Sequence, residues 1–267
     1  MFAESIIYRA LGDTELKKIA IITGATGGLG REFVKRICED KELDEIWAVG
    51  RNREKLKALV SIDNRIVPVE ADLADNGTEI LRQRLSESKA NVKMLINNAG
   101  TAYMGHFDKM DPSQVESICR LNCSVPSVLM SCSLPYMHEG AKIINISSAS
   151  SFQPNPYLAM YSASKVYLRN LSRAVGAELK SRGITVTCVC PGWIDTEMLP
   201  REHDGKKIHY PGMISAESVV RKALRDSSHG RSMSVPGLFA KYFRIYSKIT
   251  PTDIVMKQWM MIMRKHI

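Results

Sequence analysis

The chain has 267 residues, 45% of them hydrophobic and 24% charged, a composition that suits a globular protein with a sizeable core and excludes a disordered chain. No apolar run approaches the roughly 18 residues of a transmembrane helix. The net charge of +9 is concentrated: from 236 to 267, Lys241, Arg244, Lys248, Lys257, Arg264 and Lys265 stand against Asp253, leaving +5 in one tail, unlike a nucleic-acid footprint.

The first residues, MFAESIIYRALGD, carry Glu4 and Asp13 and have neither a basic leader nor a sustained apolar core, so no signal peptide is expected. The six cysteines (Cys38, Cys119, Cys123, Cys132, Cys188, Cys190) show no zinc-type or redox C-x-x-C spacing. They read as reduced core residues of a cytoplasmic protein, with no metal site. Without repeats or low-complexity linkers, the chain reads as one domain.

The first strand is expected at 17–23, KKIAIIT, a short β-branched apolar run. Gly24-x-x-x-Gly28-x-Gly30 follows, then a helix pattern with Phe33, Val34 and Ile37 on one side. Between a strand and a helix, such glycines let the backbone turn sharply and bring a pyrophosphate to the amides and positive dipole of the helix N-terminus. The next strand, 45–50, ends in Gly50-Arg51-Asn52, with no carboxylate at its end. A guanidinium there is placed to bind a 2′-phosphate, which marks NADP(H) over NAD(H). Further strands are expected at 65–71, at 92–97, at 142–147 and at 184–190, alternating with helical stretches near 53–61, 77–88, 112–133 and 156–181. This rhythm predicts a doubly wound parallel sheet, a Rossmann-type three-layer α/β/α fold. Polar and glycine-rich punctuation recurs at strand C-terminal ends, where such sheets bind ligands. Tyr161 and Lys165 lie one turn apart on a single helix face. A cation beside a phenol lowers its pKa towards the range of efficient proton transfer.

Thr23-Gly24-x3-Gly28-x-Gly30, Asp72, Asn97-Asn98-Ala99-Gly100, Asn122, Ser148, Tyr161-x3-Lys165 and Pro191-Gly192 resemble, in order, the motifs of the short-chain dehydrogenase/reductase family. The resemblance covers most of the chain and implies specific roles. Tyr161 would be the general acid in carbonyl reduction and the base in alcohol oxidation. Lys165 would lower its pKa and hold the nicotinamide ribose. Ser148, thirteen residues before Tyr161, would donate to the substrate oxygen, and Asn122 would hold a water linking Lys165 to solvent. Thr23, Gly24, Thr26, Gly28, Leu29 and Gly30 would line the pyrophosphate, with Arg51 and Asn52 at the adenosine ribose. Asp72 and Leu73 would meet the adenine, with Asn98, Ala99 and Gly100 beside the cofactor. Pro191, Gly192, Ile194 and Thr196 would contact the nicotinamide amide. Asn97 reads as structural, and His106 and His209 are assigned nothing.

The core is expected to span 17–196, followed by a lid, a helix N-capped by Ser215 and a last strand through 235, then a basic helical extension over 236–267. In that extension Leu238, Phe239, Tyr242, Phe243, Ile245, Tyr246 and Ile249 are placed on one side, with Lys241, Arg244 and Lys248 opposite. After Pro251, Val255, Met256, Trp259, Met260, Ile262 and Met263 group together, with Lys257, Arg264 and Lys265 away from them. Three readings stand: packing against the body or a second subunit, a wall for a large apolar substrate, or peripheral contact with an anionic membrane. The implied activity is NADP(H)-dependent interconversion of a ketone and a secondary alcohol on an apolar, steroid-like or acyl substrate. A 3-oxoacyl-thioester reductase and a non-catalytic NADP(H) sensor are the alternatives. The resemblance also implies a homo-oligomer, a dimer at least and a tetramer as the alternative, paired through 112–133 and 156–181; the extra tail is expected to block the further pairing that makes tetramers.

Overall fold

The computed structural model describes residues 16–263 except 89, 198, 200, 201, 204, 205 and 209. The N-terminal MFAESIIYRALGD, Met198, His209, Arg264 and Lys265 lie outside the described residues.

Each predicted strand forms. In chain order the elements are β1 (Lys17–Thr23), α1 (Gly28–Ile37), β2 (Glu45–Gly50), α2 (Arg53–Val60), β3 (Ile66–Glu70), α3 (Gly77–Glu87) and β4 (Ala90–Asn97). After β4 come α4 (Pro112–Cys119), a π-helical turn (Arg120–Ser124), α5 (Val125–Ser133), β5 (Lys142–Ile146), α6 (Ala159–Glu178) and β6 (Thr185–Val189). The chain then runs through α7 (Ala216–Ser228), β7 (Met233–Ser234), α8 (Leu238–Ile249) and α9 (Thr252–Met263). The main sheet has the order β7-β6-β5-β4-β1-β2-β3, and its pairings are all parallel. Leaving β1, the chain turns towards β2 on one side and later towards β4 on the other, which opens a crevice at the strand C-terminal ends.

Alternation along the strands feeds two apolar layers. Ala20 and Ile22 join Phe33, Val34 and Ile37 of α1 and Val219, Val220 and Ala223 of α7. Ile19 and Ile21 face the other way, towards Leu81 and Leu85 of α3 and Leu129 and Met130 of α5. Ser215 caps α7 as expected, accepting from the Ser218 amide.

Two expectations change, and a third is refined. The single helix over 112–133 is interrupted by the π turn, because Pro126 has no N–H to offer the Asn122 carbonyl four residues back. The cysteines are all free, but Cys119 is exposed and Cys123 and Cys132 only partly buried, so only Cys38, Cys188 and Cys190 are core residues. The apolar residues of α8 share one broad side, but the body does not cover it evenly. Ala240 is buried and Phe239 and Phe243 are partly so, while Leu238, Tyr242, Ile245 and Ile249 are exposed. At 100° per residue the seven positions lie within one arc of about 160°, and the body covers only one flank of it.

Candidate active site

The site is built where β1, β4, β5 and β6 end. Gly24 has φ +63, a left-handed conformation that glycine adopts without Cβ strain. Gly30 is required by space: an added Cβ would lie 2.1 Å from the Gly24 carbonyl oxygen and 2.8 Å from Asn98 Nδ2. Across the loop, a Cβ on Gly28 would stand 2.9 Å from Thr196 Cγ2, so the segment after β6 folds back over the glycines. α1 has no side-chain cap, which leaves its first amides facing a cradle that any larger residue would fill. This geometry fits a dinucleotide pyrophosphate.

Thr23 and Asn98 lock the cradle to the sheet. The Thr23 hydroxyl oxygen accepts from the amides of Asn98 and Ala99, each at 3.0 Å, and Asn98 Nδ2 donates to the carbonyls of Thr23 (3.0 Å) and Gly24 (3.2 Å). Leu29 and Leu73 are buried in the apolar layers, so only their backbones are free to face a ligand. Asn52 caps α2, accepting from the Lys55 amide at 2.8 Å. Arg51 is exposed and stands 3.9 Å from Asp72, whose other oxygen accepts from the Ala74 amide. Thr26, partly exposed, has its hydroxyl near Gly50, where an added Cβ would meet it at 3.5 Å. Asn97 is structural: its amide donates to Asn145 at 2.8 Å, and Asn145 donates to Ser172 at 2.9 Å.

Asn122, Ser148, Tyr161 and Lys165 converge at the next strand ends. Lys165 is buried on α6 and donates to the Ile146 carbonyl at 2.9 Å, with Nζ 5.5 Å from the centre of the Tyr161 ring. Burial lowers the Lys165 pKa to about 8. Burial pushes the Tyr161 hydroxyl above its ordinary range, and a hydrogen bond with Ser148 pulls it down. In the protein alone desolvation therefore outweighs the lowering that the Tyr-x3-Lys spacing suggested. Ser148 accepts from the Ser150 amide, which orients its hydroxyl. Neighbouring Ser147 instead donates to the Lys165 carbonyl at 2.8 Å and serves α6. Asn122, in the π turn, accepts from the Thr101 amide and donates to the Thr101 carbonyl and the Ser164 hydroxyl. A Cβ on Gly100 would lie 3.1 Å from Asn122 Oδ1 and 3.4 Å from Lys165 Nζ, so the two side chains meet across this glycine. Among the described residues no group of His, Cys, Asp and Glu is arranged to hold a metal.

Residues 18–207 match the family described as short chain dehydrogenase. The chain belongs to the short-chain dehydrogenase family. Human inactive hydroxysteroid dehydrogenase-like protein 1 is 34% identical over 243 residues, covering 84% of this chain and 71% of that protein. A very-long-chain 3-oxoacyl-CoA reductase of Anas platyrhynchos is 31% identical over 198 residues, 67% of this chain and 60% of its own. Among solved structures, a short-chain dehydrogenase from Sphingobium yanoikuyae in complex with NADPH superposes with a TM-score of 0.75 at 25% identity, covering 94% of this chain and 98% of that one.

Beyond the motifs that define a short-chain dehydrogenase, an aromatic cluster joins the segment after β6 to α9. Trp193 stacks on Trp259 of α9, centroids 6.1 Å apart, and meets Tyr210 at 4.9 Å. Trp259 Nε1 donates to the Pro156 carbonyl at 2.9 Å, which ties the extension to the loop leading into α6. In that loop Tyr157 has φ +67, a costly conformation for a bulky residue, and packs edge-on against His106 at 5.0 Å. Phe239 reaches the same region: a Cβ on Gly212 would lie 2.4 Å from it. Each contact joins residues far apart in sequence.

Proposed function

We propose that the protein is an NADP(H)-dependent oxidoreductase that interconverts a ketone and a secondary alcohol on an apolar, steroid-like or acyl substrate. The observation that carries this reading is the convergence of Ser148, Tyr161, Lys165 and Asn122 beside the Gly24–Gly30 cradle. Gly24, Gly28 and Gly30 would hold the pyrophosphate, with Asn98 bracing them, and Thr196 closes over the loop. Arg51, exposed and only loosely paired with Asp72, would bind the 2′-phosphate. The bound nicotinamide supplies or takes up the hydride. Ser148 would orient the substrate oxygen, and Tyr161 would hold the transferable proton at its hydroxyl. Lys165 and Asn122 would carry that proton's replacement from solvent. The NADPH complex of the Sphingobium yanoikuyae protein supports the cofactor. The wall of Trp193, Tyr210 and Trp259 supports an apolar substrate, and the 3-oxoacyl-CoA reductase relative favours an acyl thioester as the second reading. We also place a homodimer interface on α4, α5 and α6, where Val128 and Tyr167 are exposed.

The name of the human relative describes it as inactive, which keeps a non-catalytic cofactor-binding reading in view. NADPH oxidation across steroid ketones, 3-oxoacyl thioesters and small carbonyls, with NADH in parallel, separates the two. Tyr161→Phe should lower turnover by ~10²–10⁴-fold while NADPH binding persists. NADPH binding without turnover of any panel member, in wild type and variant alike, would refute the enzymatic reading. Equal rates with NADH would refute the role of Arg51.

A further inference from the structure

Helix α8 has one broad apolar arc, and the body covers one flank of it. Phe239, Ala240 and Phe243 lie against the body. On the adjoining flank Leu238, Tyr242, Ile245 and Ile249 recur at i, i+4, i+7 and i+11 and are 83%, 62%, 61% and 78% exposed. Four large apolar side chains in one solvent-facing stripe mark an interaction surface. Lys241 and Lys248 are exposed along one edge of the stripe, with Arg244 beyond them, and α8 contains no acidic residue. The following helix adds exposed Ile254, Met261 and Ile262 together with Lys257.

We propose that this stripe docks the protein on an anionic lipid surface, with α8 lying in the interface plane, its apolar residues inserted and its lysines among the headgroups. The helix cannot span: 12 residues reach ~18 Å, against a hydrocarbon core of ~30 Å. Among the described residues no helix is long and apolar enough to cross a membrane. Charge selects lipid over a second copy of the chain. A second copy would bring an identical cationic helix with no acid in it, whereas anionic headgroups attract each lysine and arginine near the surface. The inward flank of α8 packs on Gly192 and Gly212, and Trp259 of α9 stacks on Trp193, so docking would bring the segment after β6 near the bilayer. Docking itself does not depend on which substrate is turned over.

Co-sedimentation of the full chain with vesicles tests this. Vesicles of phosphatidylcholine with about one third phosphatidylserine should bind at least ~10-fold more protein than pure phosphatidylcholine at low salt. That difference should collapse at ~0.5 M salt. The double variant Ile245→Asn/Ile249→Asn should lose binding while keeping the wild-type circular dichroism spectrum and melting temperature, and Lys241→Glu/Lys248→Glu should weaken it. No binding at low salt, equal binding to neutral vesicles, or unchanged binding by the Asn variant would overturn the proposal. So would a drop in the light-scattering mass of the Asn variant in lipid-free buffer, which would assign the stripe to a second copy.

Discussion

Lys165→Met should stabilise the cofactor-free protein at neutral pH while abolishing turnover. The lysine is buried, and its pKa falls from 10.5 to about 8. At ~1.4 kcal/mol per pH unit, holding it charged at pH 7 costs ~3 kcal/mol. Methionine keeps the apolar stem and removes the charge, but forfeits the bond from Nζ to the Ile146 carbonyl, worth ~1 kcal/mol. The net expectation is a gain of ~2 kcal/mol, or ~4–8 °C in melting temperature for a domain of this size. The sign with pH follows from linkage. Between about 8 and 10.5 the unfolded lysine holds a proton that the folded one has released, so wild-type stability from this group rises with pH. Below that window the penalty is full; above it the penalty is gone. Urea denaturation of cofactor-free wild type and variant at pH 7 and pH 9.5 reads both effects. The advantage of the variant should shrink at the higher pH. A variant less stable at pH 7, or a difference flat across pH, would refute the claim that burial dominates the state of this lysine.

Two further substitutions probe the cradle and the wall. Gly30→Ala drives a methyl to 2.1 Å from the Gly24 carbonyl oxygen, so the loop must shift; a stability loss of ~1–3 kcal/mol and loss of NADPH binding are expected by denaturation and by fluorescence titration. Wild-type affinity in that variant would mean the cradle does not hold the cofactor. Trp259→Ala removes one face of the aromatic wall and the bond to Pro156. It should raise KM at least ~10-fold for bulky ketones and leave small carbonyls little changed, whereas an equal effect on both would place Trp259 outside the substrate cleft.

Local chemistry made much of the site legible before any coordinates. The β-branched runs ending at Thr23, Gly50 and Asn97 form strands because alternation buries both of their faces. The glycines at 24, 28 and 30 stand where a strand must turn tightly into a helix. The order and spacing of Asn122, Ser148, Tyr161 and Lys165 carried the family resemblance. The helix pair after Gly237 and its break at Pro251 were also readable from periodicity and proline.

Other features depend on contacts that no local pattern encodes. The widening of the helix around Asn122 has a sequence signal, Pro126, but its result is a contact with Thr101 and Ser164 from two other elements. Periodicity showed α8 as amphipathic but not which apolar residues meet the body, because that depends on where Gly192 and Gly212 leave room. Trp259 finds Pro156 across 103 residues of chain. The protonation of Lys165 and Tyr161 follows from desolvation, a property of everything packed around them. Sequence by itself determined the strands, the turns and the residue types at their ends, which local propensity and backbone geometry dictate. Only the tertiary structure decided burial, and with it the state of the lysine, the aromatic cluster around Trp259 and the flank of α8 left to solvent.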